Sequence, residues 1–390
     1  MTPLSVYVHL PFCMRKCHYC DFNSRPAPDA ERRAYVDALR AEIECRAGIL
    51  RAREVRTIFF GGGTPTIYEA NELGEVLASL TAASAPRPPS VPERERAARL
   101  PDFEITCEAN PETVDLPKLR MLREAGFNRL SIGAQSFDDE ELRMLGRGHS
   151  ADQAAEAMGA AREAGFDNVS LDLIYALPGQ SVEAWRSTLR QALVLGPDHL
   201  SAYGLEIAAG TPLFTRYEAG EIAEVEDSAH LEMRAATGES CAEADLHRYE
   251  ISNYARPGHE CRHNITYWRN EPYLGLGAGA WSYLDGVRSA NLREPREYVA
   301  AIEERFEALE YEEQLGPDEA LAETLMMGLR MTDGLSLSQL TSRYGAERVT
   351  ELLDKAHPLA EIGLLDLSDA RMRLTAEGEM LHSEVCVRLV

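Results

Sequence analysis

The 390-residue chain lacks several features that would assign it to a class at once. It has no apolar run near the roughly 20 residues that a membrane-spanning helix needs. Positive charge is scarce, because 40 basic side chains stand against 64 acidic ones, for a formal net charge of −24. That balance argues against general binding to nucleic acid or anionic lipid, which both attract basic surfaces. Residues 1–9 resemble a strand and lack the pattern of a signal peptide, so we expect a cytoplasmic protein.

The chain contains eight cysteines, which are too few for a disulfide framework in a protein of this length. Three of them cluster at Cys13, Cys17 and Cys20. Three thiolates at this spacing can hold an iron–sulfur cluster, because soft sulfur ligands suit iron. A four-iron cluster wants four ligands, so this loop would leave one iron open for a small molecule. A structural zinc site with His9 or His18 as fourth ligand is the alternative that the residues leave open.

The first half of the chain alternates runs typical of strands with stretches typical of helices. Strands are predicted at Ser5–Leu10, Arg56–Phe60, Phe103–Glu108, Arg129–Ala134, Asn168–Tyr175 and His199–Leu205. Helices are predicted at Ala30–Leu50, Asn71–Leu80, Leu116–Ala125, Ala151–Ala164 and Val182–Leu195. Such alternation indicates parallel strands with helices outside them, and six units make an incomplete version of the eight-unit barrel.

The second half loses this alternation. Glu221–Asp245 is predicted helical, and Arg248–Leu284 is predicted to form short strands and loops. Two helices, at Asp318–Met331 and Ser336–Tyr344, and a further helix precede a hairpin near residues 363–375. We therefore predict an α/β protein with a partial (β/α)6 barrel over 1–215, a small α+β region over 216–300 and a winged-helix-like appendage over 301–390. Residues 84–101, rich in Pro, Arg, Glu and Ala, are expected to be a mobile surface insertion.

Unusual polar residues follow the predicted strands, where parallel barrels collect their chemistry. The residues are Tyr7 and His9 on one face of the first strand, the Gly61–Gly63 turn with Thr64, Glu108, Gln135 and Asp172, and Arg147 after the fourth strand. Each of them alone has an ordinary structural explanation. Asp172, for example, could pair with a barrel lysine or arginine, since a carboxylate in a central strand is costly without a partner. Their convergence beside the cysteine loop favours a cofactor site.

These residues together resemble the coproporphyrinogen oxidase-like branch of the radical S-adenosylmethionine (SAM) superfamily. The matching segments are Tyr7–Cys13, Gly61–Pro65, Glu108–Glu112, Ser131–Phe137, Leu145–Arg147, Leu171–Gln180 and Ser201–Tyr203. The resemblance implies that Cys13, Cys17 and Cys20 ligate a [4Fe–4S] cluster. The SAM contacts that it implies are Tyr7, Tyr19, Gly62, Gly63, Thr64, Glu108, Gln135, Arg147 and Asp172.

Within this branch, the oxygen-independent coproporphyrinogen III oxidase usually has a further cysteine two residues after the triad, where this chain has Phe22. The His263-Asn-x-x-Tyr-Trp268 motif is similar to that of haem chaperones of the branch. The resemblance therefore implies a haem chaperone with a SAM-ligated cluster, which delivers haem to respiratory proteins. The alternative is the oxidase, which forms protoporphyrinogen IX in porphyrin biosynthesis. Phe22 favours a protein without that enzymatic activity.

His263 is the predicted haem contact, since an imidazole can ligate haem iron and Tyr267 and Trp268 offer flat faces to the macrocycle. His259, Cys261 and His263 alternate, so a strand would present all three on one side. A hydrogen-bonded structural histidine is the alternative. One departure from the branch bears on this choice, because a position that is often histidine in it is Trp281 here.

Overall fold

A computed structural model describes residues 1–84 and 103–390. Its strands are β1 Pro3–Leu10, β2 Glu54–Gly62, β3 Glu104–Ala109, β4 Arg129–Gln135, β5 Val169–Tyr175, β6 His199–Gly204, β7 His247–Arg248, β8 Asn253–Ala255, β9 Tyr273–Leu276, β10 Trp281–Leu284, β11 Val287–Asn291, β12 Leu309–Gln314, β13 Leu335–Ser336, β14 Leu365–Leu367 and β15 Arg371–Leu374. Its α-helices are α1 Asp29–Cys45, α2 Ala47–Ala52, α3 Ala70–Ser84, α4 Leu116–Ala125, α5 Asp139–Met144, α6 Ala151–Glu163, α7 Val182–Val194, α8 Pro212–Glu218, α9 Asp227–Glu243, α10 Arg262–Trp268, α11 Pro295–Arg305, α12 Pro317–Gly328, α13 Leu337–Tyr344, α14 Ala346–Glu361, α15 Ala376–Met380 and α16 His382–Leu389. Short 3-10 turns lie at Pro65–Ile67 and Pro111–Thr113.

Six parallel strands form the centre of the sheet, in the chain order β1 to β6. Helices follow the strands and cover the outer face, so the α/β architecture and the six-unit partial barrel are confirmed. All six predicted strands are present, with ends shifted by at most two residues.

The helices between these strands begin and end at residues with clear capping roles. Asp115, Ser150 and Ser181 each accept a backbone N–H in the first turn of the helix that follows. Gly126 and Gly165, after α4 and α6, have φ angles of 113° and 89°. These positive values let the chain leave a helix and enter the next strand.

Strands from the second half of the chain extend the same sheet at both edges. β9 pairs in parallel with β1, and β10, β11 and β12 continue outward as antiparallel strands. At the opposite edge, β8 pairs antiparallel with β6 and β7 pairs with β8. The result is one sheet of twelve strands. The boundaries after residues 215 and 300 stay predictions.

A buried carboxylate joins the first helix to the later strands. Glu42 of α1 is 1% exposed. Its oxygens accept hydrogen bonds from the backbone N–H of Gly277 at 2.8 Å, the amide of Asn291 at 2.7 Å and the hydroxyl of Tyr298 at 2.8 Å. Burial raises the pKa of Glu42, and these three donors lower it again. Elements more than 230 positions apart in the chain are thus fixed to each other.

The C-terminal residues form a unit with its own apolar core, which includes Leu325, Leu352 and Met372. The predicted helices and hairpin are present, as α12, α13, α14 and the β14–β15 pair, with β13 as a third strand. Glu379 of this unit accepts hydrogen bonds from Arg234 and Arg248 of the larger unit at 2.6–2.9 Å. Half-buried arginine–carboxylate contacts therefore link the two units.

Two local predictions need correction. The single helix expected over Ala30–Leu50 is interrupted, because Arg46 has a ψ of 0° and separates α1 from α2. The expected strand through His259, Cys261 and His263 is wrong, since residues 262–268 are the helix α10. The expected insertion at 84–101 lies outside the described residues except for Ser84, which ends α3. Within the described ranges, no helix is long and apolar enough to cross a membrane.

Candidate active site

The inward faces of the parallel strands line a cavity of about 560 Å³. On β4 the lining residues are Arg129, Ser131, Gly133 and Gln135, which is every second position, as strand geometry requires. This cavity is lined by all thirteen residues predicted as cluster ligands, SAM contacts or haem contact: Tyr7, Cys13, Cys17, Tyr19, Cys20, Gly62, Gly63, Thr64, Glu108, Gln135, Arg147, Asp172 and His263. The structure therefore brings together groups that come from six separate parts of the sequence.

The cysteine loop follows β1 and rests on the glycine turn after β2. The N–H of Gly63 donates to the carbonyl of Leu10 at 2.8 Å, and the N–H of Thr64 donates to that of Phe12 at 2.9 Å. A Cβ atom on Gly63 would lie 2.5 Å from the Phe12 oxygen, so only glycine permits this approach. The three thiols, Cys13, Cys17 and Cys20, are free and partly exposed toward the cavity.

The two histidines considered as zinc ligands bond to other groups. His9 shares hydrogen bonds with the Tyr7 hydroxyl at 3.1 Å and the Asn23 carbonyl at 2.9 Å, and burial lowers its pKa to about 4. Nδ1 of His18 bonds the Met144 carbonyl at 2.9 Å. Across residues 1–84 and 103–390, no three His, Cys, Asp or Glu side chains are arranged to hold a single metal ion.

Arg147 connects the cysteine loop to the end of β4. Its guanidinium donates to Sγ of Cys17 at 3.5 Å, to Oδ1 of Asn110 at 2.8 Å and to the carbonyl of Gly133 at 2.6 Å. Its buried Nε has no hydrogen-bond partner in the part of the chain that the structure describes. A buried cation with a spare donor beside the thiols fits an anionic group of a bound ligand.

The two carboxylates of the cavity have different surroundings. Asp172 accepts hydroxyl hydrogen bonds from Ser131, Ser170 and Ser201 at 2.7–3.0 Å, so serines take the place of the expected lysine or arginine. Among the described residues, the Glu108 carboxylate accepts a single hydrogen bond, from the N–H of Gly62 at 3.2 Å. Burial, and then the charge of Asp172, raise the pKa of Glu108 to about 8. A cationic ligand group beside Glu108 would favour its ionised form.

Gln135 and Tyr19 also line the cavity. Gln135 has a φ of 66° at a break in the β4–β5 register, an unusual conformation for this residue type. Tyr19 lies between two cysteines of the loop, and burial raises the pKa of its hydroxyl.

His263 lies deep in the cavity with both ring nitrogens bonded. Nδ1 bonds the Thr57 hydroxyl at 2.7 Å, Nε2 bonds the Tyr267 hydroxyl at 2.9 Å, and the ring stacks on Phe59. Burial lowers its pKa to about 3. The carboxylate of Glu104 caps the start of the helix that carries His263, because it accepts the N–H groups of residues 262 and 263 at 2.9 Å. This capping by a residue distant in the sequence explains why a helix replaces the expected strand.

The aromatic residues predicted to face haem separate in the structure. Tyr267 lines the cavity, whereas Trp268 does not, and the centre of its ring lies 4.5 Å from the guanidinium carbon of Arg330. Trp281 is 47% exposed and contacts Tyr311 on the outer strands. Sequence reasoning missed several lining residues, above all Arg129. The alternation Arg129, Ser131, Gly133, Gln135 was a signal that could have placed it on the inward face.

Comparisons with known proteins agree with this geometry. The family model of the radical SAM superfamily matches residues 7–192, and that of the HemN C-terminal domain matches residues 315–381. The protein named heme chaperone HemW of Bacillus subtilis is 34% identical over 381 residues, which cover 98% of this chain and 97% of that relative. Its namesake in Escherichia coli is 37% identical over 308 residues, 77% and 76% of the two chains. The chain belongs to the HemW family.

A solved structure supports the same fold. The chain matches coproporphyrinogen III oxidase HemN of Escherichia coli with a TM-score of 0.81 and 27% identity, covering 100% of this chain and 90% of that one. Membership of the radical SAM superfamily implies SAM and a [4Fe–4S] cluster as cofactors. The site fits those two groups. Its three thiols are free, and Gly63 allows a close backbone approach. Arg147 has a spare N–H donor, and Glu108 would be ionised beside a cation.

Proposed function

We propose that this protein is a haem chaperone that acts in the cytoplasm. It binds haem in the barrel cavity, carries a SAM-ligated [4Fe–4S] cluster and delivers haem to respiratory proteins. The observation that carries the proposal is the composition of the cavity, which is lined both by the three-thiol loop and by several aromatic side chains that form part of its wall. Tyr7, Phe59, Tyr203 and Tyr267 supply that wall and can pack against a flat macrocycle. The relatives named heme chaperone HemW support the same function.

The cofactors would occupy the end of the cavity beside the cysteine loop. Cys13, Cys17 and Cys20 would ligate the cluster, which together with SAM supplies one-electron chemistry when bound. Arg147 would donate to the SAM carboxylate, and Glu108 would accept from its amino group. The remaining proposed SAM contacts are Tyr7, Tyr19, Gly62, Gly63, Thr64, Gln135 and Asp172. Tyr19, beside the cluster loop, would pack on the adenine.

Haem ligation by His263 has a specific structural requirement. Its two ring nitrogens are hydrogen-bonded to Thr57 and Tyr267, so at least one of these bonds must break before iron could bind. Nε2 is the nitrogen that faces a cavity residue, Tyr267. We propose His263 as the haem ligand in a conformation in which Tyr267 has moved away.

A second candidate is an oxygen-independent coproporphyrinogen III oxidase. The observation that favours it is the similarity to HemN along the whole chain, at a TM-score of 0.81. Against it stands Phe22, which is 67% exposed at the rim of the cavity and replaces the extra cysteine expected of that enzyme.

One anaerobic experiment separates these functions. The cluster is reconstituted, haemin is titrated while the Soret band is followed, and a second sample receives SAM, dithionite and coproporphyrinogen III. A Soret band without decarboxylated product is the expected result, and product detected by mass would establish the oxidase. Cys17→Ser should lose iron and SAM binding, whereas Cys45→Ser, at an exposed cysteine outside the loop, should keep both. Absence of both haem binding and product would refute both candidates.

A further inference from the structure

Arg129 is a buried arginine that no role described so far explains. It is the first residue of β4, its side chain is only 2% exposed, and it lines the cavity at the end away from the cysteine loop. Arg147 donates to the carbonyl of Gly133, which lies four residues along the same strand, or roughly 13 Å. The two arginines therefore serve different levels of the cavity.

The guanidinium of Arg129 has no hydrogen bond and no ion pair with any residue in 1–84 or 103–390. Its Nε is completely buried without a partner. The nearest carboxylates compensate its charge at a distance but bond elsewhere. Glu104 accepts the N–H groups at the start of α10, and Asp172 accepts three serine hydroxyls.

The two neighbouring histidines do not accept a hydrogen bond from the guanidinium either, because their ring nitrogens are bonded to other groups. Nδ1 of His199 bonds Ser170 at 2.8 Å and its Nε2 bonds Tyr249 at 2.8 Å. His263 is likewise saturated. Burial, and then the positive charge of Arg129, lower the pKa of both histidines, which keeps both rings neutral. The surroundings of Arg129 thus hold a positive charge with spare N–H donors.

Such an arrangement is costly in a protein that has no use for it. Arginine carries five N–H donors in a planar fork, and buried donors without acceptors destabilise the folded state. The fork matches a carboxylate, which can accept two parallel hydrogen bonds. Tyr7, Phe59, Tyr203 and Tyr267 line the same cavity as Arg129, so the expected ligand is a flat apolar body with an acidic arm.

We propose that Arg129 binds a propionate carboxylate of the tetrapyrrole ligand at the inner end of the cavity. This inference rests on the proposed haem function and adds the orientation of the ligand, with one propionate directed away from the cysteine loop. Arg129 is then a binding residue that selects tetrapyrroles with free carboxylates.

The test compares haemin with haemin dimethyl ester, which has no free carboxylate, by Soret titration of the reconstituted protein. The wild type should bind haemin about 10- to 100-fold more tightly than the ester, the range for a hydrogen-bonded charged pair. Arg129→Met should remove this preference by weakening haemin alone. Arg129→Lys should keep part of it, because the charge stays and the fork is lost. Arg33→Met, at an exposed arginine, should preserve the full preference.

The outcomes separate this inference from the function on which it rests. If the wild type binds neither compound, the haem function is wrong. If it binds both equally, haem binding stands and the role of Arg129 is refuted, whether or not any variant folds. The same conclusion follows if Arg129→Met keeps the preference. The iron content of each reconstituted variant reports whether its barrel has folded.

Discussion

A single methyl group at Gly63 should disable the cysteine loop. In Gly63→Ala the new Cβ would lie 2.5 Å from the Phe12 oxygen, 2.7 Å from the Leu10 oxygen and 2.8 Å from the Phe12 nitrogen. All three are backbone atoms, so no side chain can rotate away to make room. The chain must separate where Gly63 and Thr64 donate to the loop. Loss of two hydrogen bonds of about 1 kcal/mol each, with added strain, gives a destabilisation of about 2–3 kcal/mol.

Urea unfolding and iron content after reconstitution measure this effect. Gly63→Ala should lower the free energy of unfolding and bind less iron, because Cys13 directly follows the displaced Phe12. Gly48→Ala is the matched control, since a Cβ at that position in α2 meets no atom within 4 Å. It should stabilise the protein by about 0.5–1 kcal/mol through its helix propensity. Equal stability and equal iron content in Gly63→Ala and wild type would show that the loop does not depend on this contact.

Two further predictions concern buried ionisable groups. The folded-state pKa of Glu108, about 8 against an ordinary 4.5, makes its contribution to stability complete below pH 4.5 and lost as the pH rises toward 8. Glu108→Gln should therefore flatten the fall in unfolding free energy of the cofactor-free protein over that interval, and an unchanged slope would contradict the pKa. His263→Ala should cost about 3 kcal/mol and weaken haem binding, whereas exposed His357→Ala should do neither. Unchanged Soret titration of His263→Ala would exclude it as ligand.

Much of the site could be predicted from the sequence because parallel strands bring their carboxyl ends together. Glycines at 61–63, Glu108, Gln135 and Asp172 each directly follow or lie within an apolar run, so the six-unit barrel predicts that they meet. The cysteine spacing then identifies which end of the barrel carries the chemistry. Each of these signals is local in the sequence, and the fold then brings the residues together at one end of the barrel.

Other features depend on contacts that no local pattern contains. The first backbone N–H groups of α10 donate to Glu104, which lies 158 positions before Arg262, so alternation around Cys261 predicts the wrong element. Arg129 opens an apolar strand and resembles a solvent-exposed strand end until the barrel encloses it. The hydroxyl bonds of Asp172 likewise require three strands to be in register.

The carboxylate of Glu42 sets a condition on the order in which this protein can fold. The residues that satisfy it, Gly277, Asn291 and Tyr298, follow it by 235, 249 and 256 positions. During synthesis, the amino-terminal strands leave the ribosome long before β9 exists to cover the free edge of β1. Until then α1 cannot close on the sheet without burying an unpaired carboxyl group. The packing of α1 against the sheet is therefore completed late, by the carboxyl-terminal half of the same chain.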